Sequence, residues 1–379
     1  MITLAVTSEP AHEPRVALSP ETAKKLAALG CTIKVQSGAG MRSRFSDQLY
    51  KDQGAEIVGS AAEAVAGADI VLRVLRPSAA EASAMKKGAI LAAMISPHDD
   101  RPGLEALAQS GITAFSMEFM PRISRAQSMD VLSSQSNLAG YRAVIDAAAE
   151  FGQAIPMMMT AAGTVPASKI FIMGVGVAGL QAIATARRLG AIVTATDVRP
   201  ATKEQVASLG AKFIAVEDEE FKQAQTAAGY AKPMSPEYQK KQAELTATHL
   251  KTQDIVITTA LIPGRPAPKL ISTAMVESMK PGAVIMDLAA ERGGNCELTR
   301  PGETFEHKGV KICGPMNLAA EIAVNASSLY ARNLLAFLDI MIDKKTKELK
   351  VDWDDEIIKG TLVTRDGQIV HPALQAKEG

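Results

Sequence analysis

Cysteine is scarce: Cys31, Cys296 and Cys313 are the three in a chain of 379 residues. Odd in number and scattered, they fit neither a disulfide framework nor a thiolate zinc site, so reduced thiols in a cytoplasmic protein are expected. Charge of one sign is lacking too. The 41 Lys and Arg balance the 41 Asp and Glu, and without a concentrated positive patch a nucleic-acid or anionic-membrane partner is not expected. The opening Met1 to Pro14 has no basic region followed by an apolar one, so no secretory signal is expected. No run of about 18 or more apolar residues occurs, so the chain is expected to have no membrane span of its own. His12, His98, His249, His307 and His371 form no HxxxH pattern and no CxxC occurs, so no metal site is expected.

Apolar residues make up 47% and charged residues 22%, enough for a sizeable core and about two domains. Short apolar runs alternate with helical patterns from the start. Ile2 to Val6 reads as a strand. Ser19 then caps a helix with Pro20 at its first position and Gly30 as its stop. Further strands are expected at Thr32 to Gln36, Ile70 to Val74, Ala89 to Ile95 and Thr113 to Ser116. After a polar stretch, Arg122 to Ser134, a helix is expected over Ser136 to Gln153. The second half repeats the alternation, with strands at Lys169 to Met173, Ile192 to Thr196, Lys212 to Val216, Asp254 to Thr259, Ala283 to Leu288 and Val310 to Cys313. A last helix is expected over about Ser327 to Ile342. Asp366-Gly367 between two β-branched runs predicts a hairpin over Thr361 to Val370. Such alternation predicts parallel α/β layers. Met157-Met158-Met159 reads as core packing. Glu217 to Lys251, polar and long, reads as a solvated excursion or a functional lid.

The strongest motif is Gly174-Val175-Gly176-Val177-Ala178-Gly179. The apolar strand Ile170 to Met173 precedes it, a helix-forming run to Leu189 follows, and the next strand delivers Asp197. In that context the glycines permit a tight turn, close approach of a pyrophosphate and close helix–strand packing, with the helix N-terminus facing the phosphates. Asp197 suits the adenosine-ribose hydroxyls and would repel a 2′-phosphate, which favours NAD(H). Arg199, two positions on, is a residue type that accommodates a 2′-phosphate. The expected fold is therefore two Rossmann-like, doubly wound parallel-sheet domains joined by long helices. One comprises residues 1–135 plus 327–379, and the nucleotide-binding one residues 136–326.

Three stretches carry a family resemblance. Glu13-Pro14-Arg15-Val16-Ala17-Leu18-Ser19-Pro20 and Met279 to Asp287 resemble signatures shared by alanine dehydrogenases and transhydrogenase α chains. Pro121-Arg122-Ile123-Ser124-Arg125-Ala126-Gln127-Ser128-Met129-Asp130, continuing to Asn137, resembles the nucleotide-contacting loop of the NAD(H)-binding component of proton-translocating transhydrogenases. The resemblance runs nearly end to end. It implies that Arg122, Gln127, Asp130 and Ser133 line the nicotinamide end. Gly174, Gly176, Val177, Gly179, Asp197, Val198 and Arg199 would hold the pyrophosphate and adenosine half, with Leu261 beside the nucleotide. Gly229, Tyr230 and Gln242 would belong to a closing loop. It further implies a homodimer, peripheral to the inner membrane on the cytoplasmic side. A membrane-embedded chain would conduct protons, and another component would carry NADP(H). Asn317-Leu318-Ala319-Ala320-Glu321 departs from the family, which has a proline-containing segment there.

An alanine dehydrogenase-like amino-acid dehydrogenase is the rival reading. Reductive amination needs a positioned acid/base. Where those enzymes carry a lysine and a histidine, this chain has Leu75 and Ser96, and Glu291 stands where they carry an aspartate. Arg15, which would grip a substrate carboxylate, remains and reads as a salt-bridge partner. His98, the one acid/base candidate left, reads as a solvated loop residue. A non-enzymatic NAD(H) sensor is the other reading, and the nicotinamide-end loop weighs against it.

Overall fold

The computed structural model of the chain describes residues 2–224, 234–262 and 264–375. It divides into two compact units, Met1–Gln135 with Ala320–Gly379, and Ser136–Ala319. The sequence reading places the return to the first unit later, at 327. In chain order the strands are β1 (Ile2–Val6), β2 (Cys31–Gln36), β3 (Glu56–Val58), β4 (Ile70–Leu75), β5 (Ile90–Met94) and β6 (Thr113–Ser116). Then come β7 (Met158–Thr160), β8 (Gly163–Val165), β9 (Lys169–Met173), β10 (Ile192–Thr196), β11 (Lys212–Phe213), β12 (Ile255–Thr258) and β13 (Val284–Asp287). The last are β14 (Thr304–His307), β15 (Val310–Cys313), β16 (Leu362–Arg365) and β17 (Gln368–Ile369).

Among the described residues, unit one builds an eight-stranded sheet in the order β17-β16-β6-β5-β4-β1-β2-β3, and unit two a seven-stranded sheet in the order β11-β10-β9-β12-β13-β15-β14. Pairing is parallel except at β14, β16 and β17. In unit two β9 has its successor β10 on one side and β12 on the other, and its register ties Ile172 to both Ala195 and Ile257. That reversal of strand order is where parallel sheets open a crevice at the carboxyl ends of their strands. Central strands buried on both faces read as unbroken apolar runs, as in the fully buried Ile170, Phe171 and Ile172 of β9 and Ile255, Val256 and Ile257 of β12.

Several local expectations are met. Ser19 caps the Pro20–Ala28 helix, its hydroxyl accepting from Thr22 N, and Gly30 takes a φ of 95° beyond it. Asp366 and Gly367, at φ 51° and 80°, turn β16 into β17 with Arg365 opposite Gln368. Two successive positive-φ residues are what a two-residue type I′ hairpin requires.

Others are corrected. The helix expected from Ser136 runs over Val131–Glu150. Asp130 starts it early, because its carboxylate accepts from Ser133 N at 2.9 Å and so caps the first turn. The last helix is Ala323–Asp339, and it gives Tyr330, Leu334, Phe337 and Leu338 to the unit-one core. β11 stops at Phe213 rather than Val216, since Val216 N donates to Gln242 Oε1 at 2.9 Å instead of to a strand. Part of the polar stretch 217–251 is the helix Pro236–Leu250, capped by Ser235 and opened by Pro236, which leads into β12 and buries Tyr238, Thr246 and Leu250. Met157-Met158-Met159 is not core. It leads into the hairpin β7–β8, whose strands pair with each other alone and whose residues are exposed, Met159 to 75%.

On the Pro236–Leu250 helix, His249 meets Phe171 edge to face at 4.7 Å and shares a 2.8 Å hydrogen bond with Thr194 Oγ1. Burial, then the charges of Lys212 and Lys169, pushes its imidazole below the ordinary value. The fold favours the neutral ring, so this contribution is complete above about pH 6.5 and is lost as pH falls toward the lowered folded value. Urea unfolding from about pH 7 to about pH 5 should show the decline, with a shallower slope in His249→Gln. Identical slopes in the two proteins would remove His249 as its source.

Candidate functional site

Three glycines of the turn after β9 do three different jobs. Gly174 adopts φ 101°, its N–H donates to Thr196 O at 2.9 Å, and its carbonyl accepts from Thr259 Oγ1 at 3.0 Å. A Cβ there would lie 2.7 Å from Thr259 Oγ1 and 3.1 Å from Ala260 N. Gly179 faces inward, where a Cβ would lie 1.9 Å from Gly174 O. Gly176 is the opposite case: a Cβ would meet nothing within 4 Å. It is also the N-cap of the Val177–Arg188 helix and brings no capping side chain. The first-turn N–H groups and the positive end of the helix dipole therefore address open space, the arrangement an anionic pyrophosphate needs.

Asp197 follows β10. Its Oδ2 accepts from Val175 N at 2.8 Å, while Arg199 donates from N and Nε to Oδ1 and from Nη2 to Oδ2, each at 2.9 Å. Those four bonds fill the acceptor positions of a carboxylate. Arg199 Nη2 also donates to Val175 O at 3.1 Å, so acid, arginine and glycine turn form one unit. Gln242 projects from the Pro236–Leu250 helix and donates to Thr196 Oγ1 at 3.3 Å, holding the end of β10. This placement replaces the expected closing-loop one; Gly229 and Tyr230 lie outside the described residues. Exposed apolar side chains follow the strand ends: Val177 after β9, Val198 after β10, and Leu261, 52% exposed, after β12. Ile262 and Met316 extend this rim. Sequence reading misses both, because an isolated apolar residue in a loop carries no periodic signal.

Unit one holds the other four predicted residues. Arg122 precedes the short helical turn Ser124–Met129, which carries Gln127, and both side chains are exposed. The turn is pinned from behind. Ala126 and Met129 enter the core, Asn333 Nδ2 donates to Ser128 O at 2.8 Å, and Arg125 pairs with Asp355. Asp130 and Ser133 meet each other, Ser133 Oγ donating to Asp130 Oδ2 at 2.6 Å.

The positions where a dehydrogenase keeps its acid/base groups are also in unit one. Leu75 packs on the core, and its N–H donates to Glu9 Oε2. Ser96, at φ 49°, donates its N–H to Glu118 Oε1 at 2.7 Å. Arg15 is buried and bonded by Nε and Nη2 to Glu13, each at 2.7 Å, with Nη1 donating to Gln135 Oε1. Its grip is already taken by Glu13 and Gln135. Buried Arg73 likewise pairs with Glu9 and Glu81. Burial pushes the Glu9 carboxyl up, against the Arg73 charge and the Val74 and Leu75 N–H groups that favour its ionised form. His98 is exposed, its ring 5.3 Å from Phe119.

Fold and turn together define the class, a Rossmann-type nucleotide-binding protein. Family models narrow it. The N-terminal domain model of alanine dehydrogenase/PNT matches residues 5–139, and the C-terminal domain model matches residues 143–372. The chain belongs to the alanine dehydrogenase/PNT family. It is 57% identical over 367 residues to an NAD(P) transhydrogenase subunit alpha chain of Rhodospirillum rubrum, covering 96% of each. The solved structure of a transhydrogenase from Sinorhizobium meliloti matches with a TM-score of 0.89 and 55% identity, covering 98% of this chain and 100% of that one. Alanine dehydrogenase of Mycobacterium tuberculosis is more distant, at 31% identity over 78% of this chain and 74% of its own length.

The glycine geometry separates two substitutions. Gly179→Ala forces a methyl group onto Gly174 O and is expected to cost about 1–3 kcal/mol in urea unfolding. Gly176→Ala meets open space at an ordinary φ of −80° and should stay within about 0.5 kcal/mol of wild type. Equal losses in the two variants would contradict the packing account.

Proposed function

We propose that the chain is the NAD(H)-binding component of a proton-translocating transhydrogenase. The observation that carries this reading is an intact dinucleotide turn in a chain whose dehydrogenase acid/base positions are Leu75 and Ser96. Hydride exchange between two nicotinamides moves no proton in the chemical step, so it calls for alignment and exclusion of water rather than for an acid/base pair.

In this reading the Val177–Arg188 helix N-terminus and Gly176 hold the pyrophosphate. Asp197 accepts the adenosine-ribose hydroxyls, which take the places of Arg199 Nε and Nη2. Val198 and Leu261 supply apolar contact. Arg122, Gln127, Asp130 and Ser133 orient the nicotinamide, and Gly229 and Tyr230 belong to a closing segment. Bound NADH supplies a hydride that passes directly to NADP⁺ on a partner component, leaving NAD⁺ and NADPH. A separate membrane chain conducts the protons, and this chain is a peripheral component on the cytoplasmic face of the inner membrane. No helix among its described residues is long and apolar enough to cross a membrane.

The test mixes the purified chain with an NADP⁺-loaded partner component and follows NADH oxidation optically, with pyruvate plus ammonium and no partner as the control. Oxidation only with the partner is expected, and Gly176→Ala should weaken NADH binding about tenfold or more. Turnover with pyruvate and ammonium alone would make the chain a dehydrogenase.

Self-association belongs to the same proposal. The β7–β8 hairpin has open edges and exposes Met157, Met158, Met159 and Val165. An isolated two-stranded hairpin is marginal in water, so a second copy of the chain is its natural cover. Sedimentation at micromolar concentration should find a dimer, shifted toward monomer in Met159→Asp. A wild-type monomer would refute the dimer, and a variant as dimeric as wild type would refute the hairpin's role in it.

A further inference from the structure

We infer that Asn295 is a positioning residue for the nicotinamide half of the dinucleotide, acting through the Ala260–Leu261 ledge; this rests on the nucleotide reading above. The ledge lies just past β12, where the strand ladder ends at Thr258. Its backbone amide and carbonyl therefore need partners from elsewhere. Asn295 supplies both. Its Oδ1 accepts from Ala260 N at 3.0 Å, and its Nδ2 donates to Ala260 O at 2.9 Å and to Pro268 O at 2.8 Å. A carboxamide is the side chain that copies a neighbouring strand in this way, offering a donor and an acceptor side by side.

Asn295 is itself fixed. It is fully buried, and its carbonyl accepts from Leu270 N at 2.7 Å and Ile271 N at 3.0 Å. The next residue, Cys296, donates its N–H to the buried Asp287 Oδ2 at 3.0 Å. Asp287 also accepts from Thr258 Oγ1, Ala289 N and Thr299 Oγ1. Gly294, at φ 79°, leaves a Cβ no room, 2.7 Å from Asp287 Oδ2. The ledge is thus set from a rigid loop and presents Leu261 and Ile262 outward.

The two halves of a dinucleotide divide at the reversal of strand order. The adenosine half belongs with Asp197 on the β10 side, and the nicotinamide half with the β12 side, where the ledge is. The turn that serves the adenosine half keeps its own supports without Asn295: Gly174 N to Thr196 O, and Thr259 Oγ1 to Gly174 O. Loss of the Asn295 carboxamide therefore acts on one half of the ligand and spares the other.

The test compares NADH with adenosine monophosphate on the full chain, by fluorescence and calorimetry, with urea unfolding alongside. Asn295→Ala should raise the Kd for NADH about tenfold or more and leave that for adenosine monophosphate within about twofold. Asn295→Ser, which leaves a small polar group and room for a water, should show the same split at smaller size. Unchanged NADH binding overturns the inference, as does equal weakening of both ligands or failure of both variants to fold. A wild-type chain that does not bind NADH overturns the nucleotide reading, and the inference with it.

Discussion

The approach of Gly179 to the carbonyl of Gly174 is the contact on which the nucleotide-binding unit depends. With 1.9 Å between a notional Cβ and that oxygen, no other residue lets the Val177–Arg188 helix lie so close to the end of β9. The closeness aims the helix N-terminus at the space over Gly176. It also leaves Val175 N pointing to Asp197, so the first and second strands of the sheet are joined at their carboxyl ends by a charged hydrogen bond rather than by ladder pairing alone. One packing constraint thereby sets the direction of the dipole, the place of the acid and the open face of the turn.

Unit one reaches the same topology with a different use for its polar residues. Glu9 accepts from Arg73 and from the N–H groups of Val74 and Leu75, so a carboxylate closes the end of β4. Glu118 does the same at the end of β5, accepting from Ile95 N and Ser96 N. Carboxyl ends of parallel strands are where α/β enzymes place their reactive groups. Here those ends are capped internally. Buried ion pairs of this kind add little net stability, yet removing one partner costs about 3–5 kcal/mol because the other is left charged and dry. The arginines and glutamates of this end are fixtures of the fold.

Much of this is legible in the sequence where a short-range rule governs. Ser19-Pro20, Asp366-Gly367 and the glycine turn each carry their own geometry, and the central strands announce themselves as apolar runs. The misreadings share a cause. Asp130 sits in a stretch that reads as a polar loop, although its carboxylate makes it the start of a helix. Pro236–Leu250 lacks a strong apolar stripe, since a crossover helix resting on a sheet by Tyr238, Thr246 and Leu250 needs only three buried residues. Met157 to Met159 are apolar by composition and exposed by topology, and composition alone cannot tell a core segment from an unpartnered hairpin. Asn295 is the furthest from sequence reach. Its role depends on Ala260, thirty-five positions away, and no local pattern encodes that pairing.

The choice of cation completes the chemical picture. Arg15 is paired with Glu13, Arg73 with Glu9 and Arg199 with Asp197. Arginine keeps its proton at every physiological pH, whereas lysine and histidine release theirs when burial demands it. A carboxylate held by arginine is in turn held ionised, because the guanidinium cannot give up the proton that would neutralise the pair. Each such pair offers charge, shape and hydrogen bonds without offering a proton. With Leu75 and Ser96 at the two positions a dehydrogenase gives to acid/base groups, a bound nicotinamide would meet groups that orient it and none that protonates a substrate carbonyl. A surface so composed suits a reaction in which a hydride is handed from one ring to another and the protons are moved by a different chain.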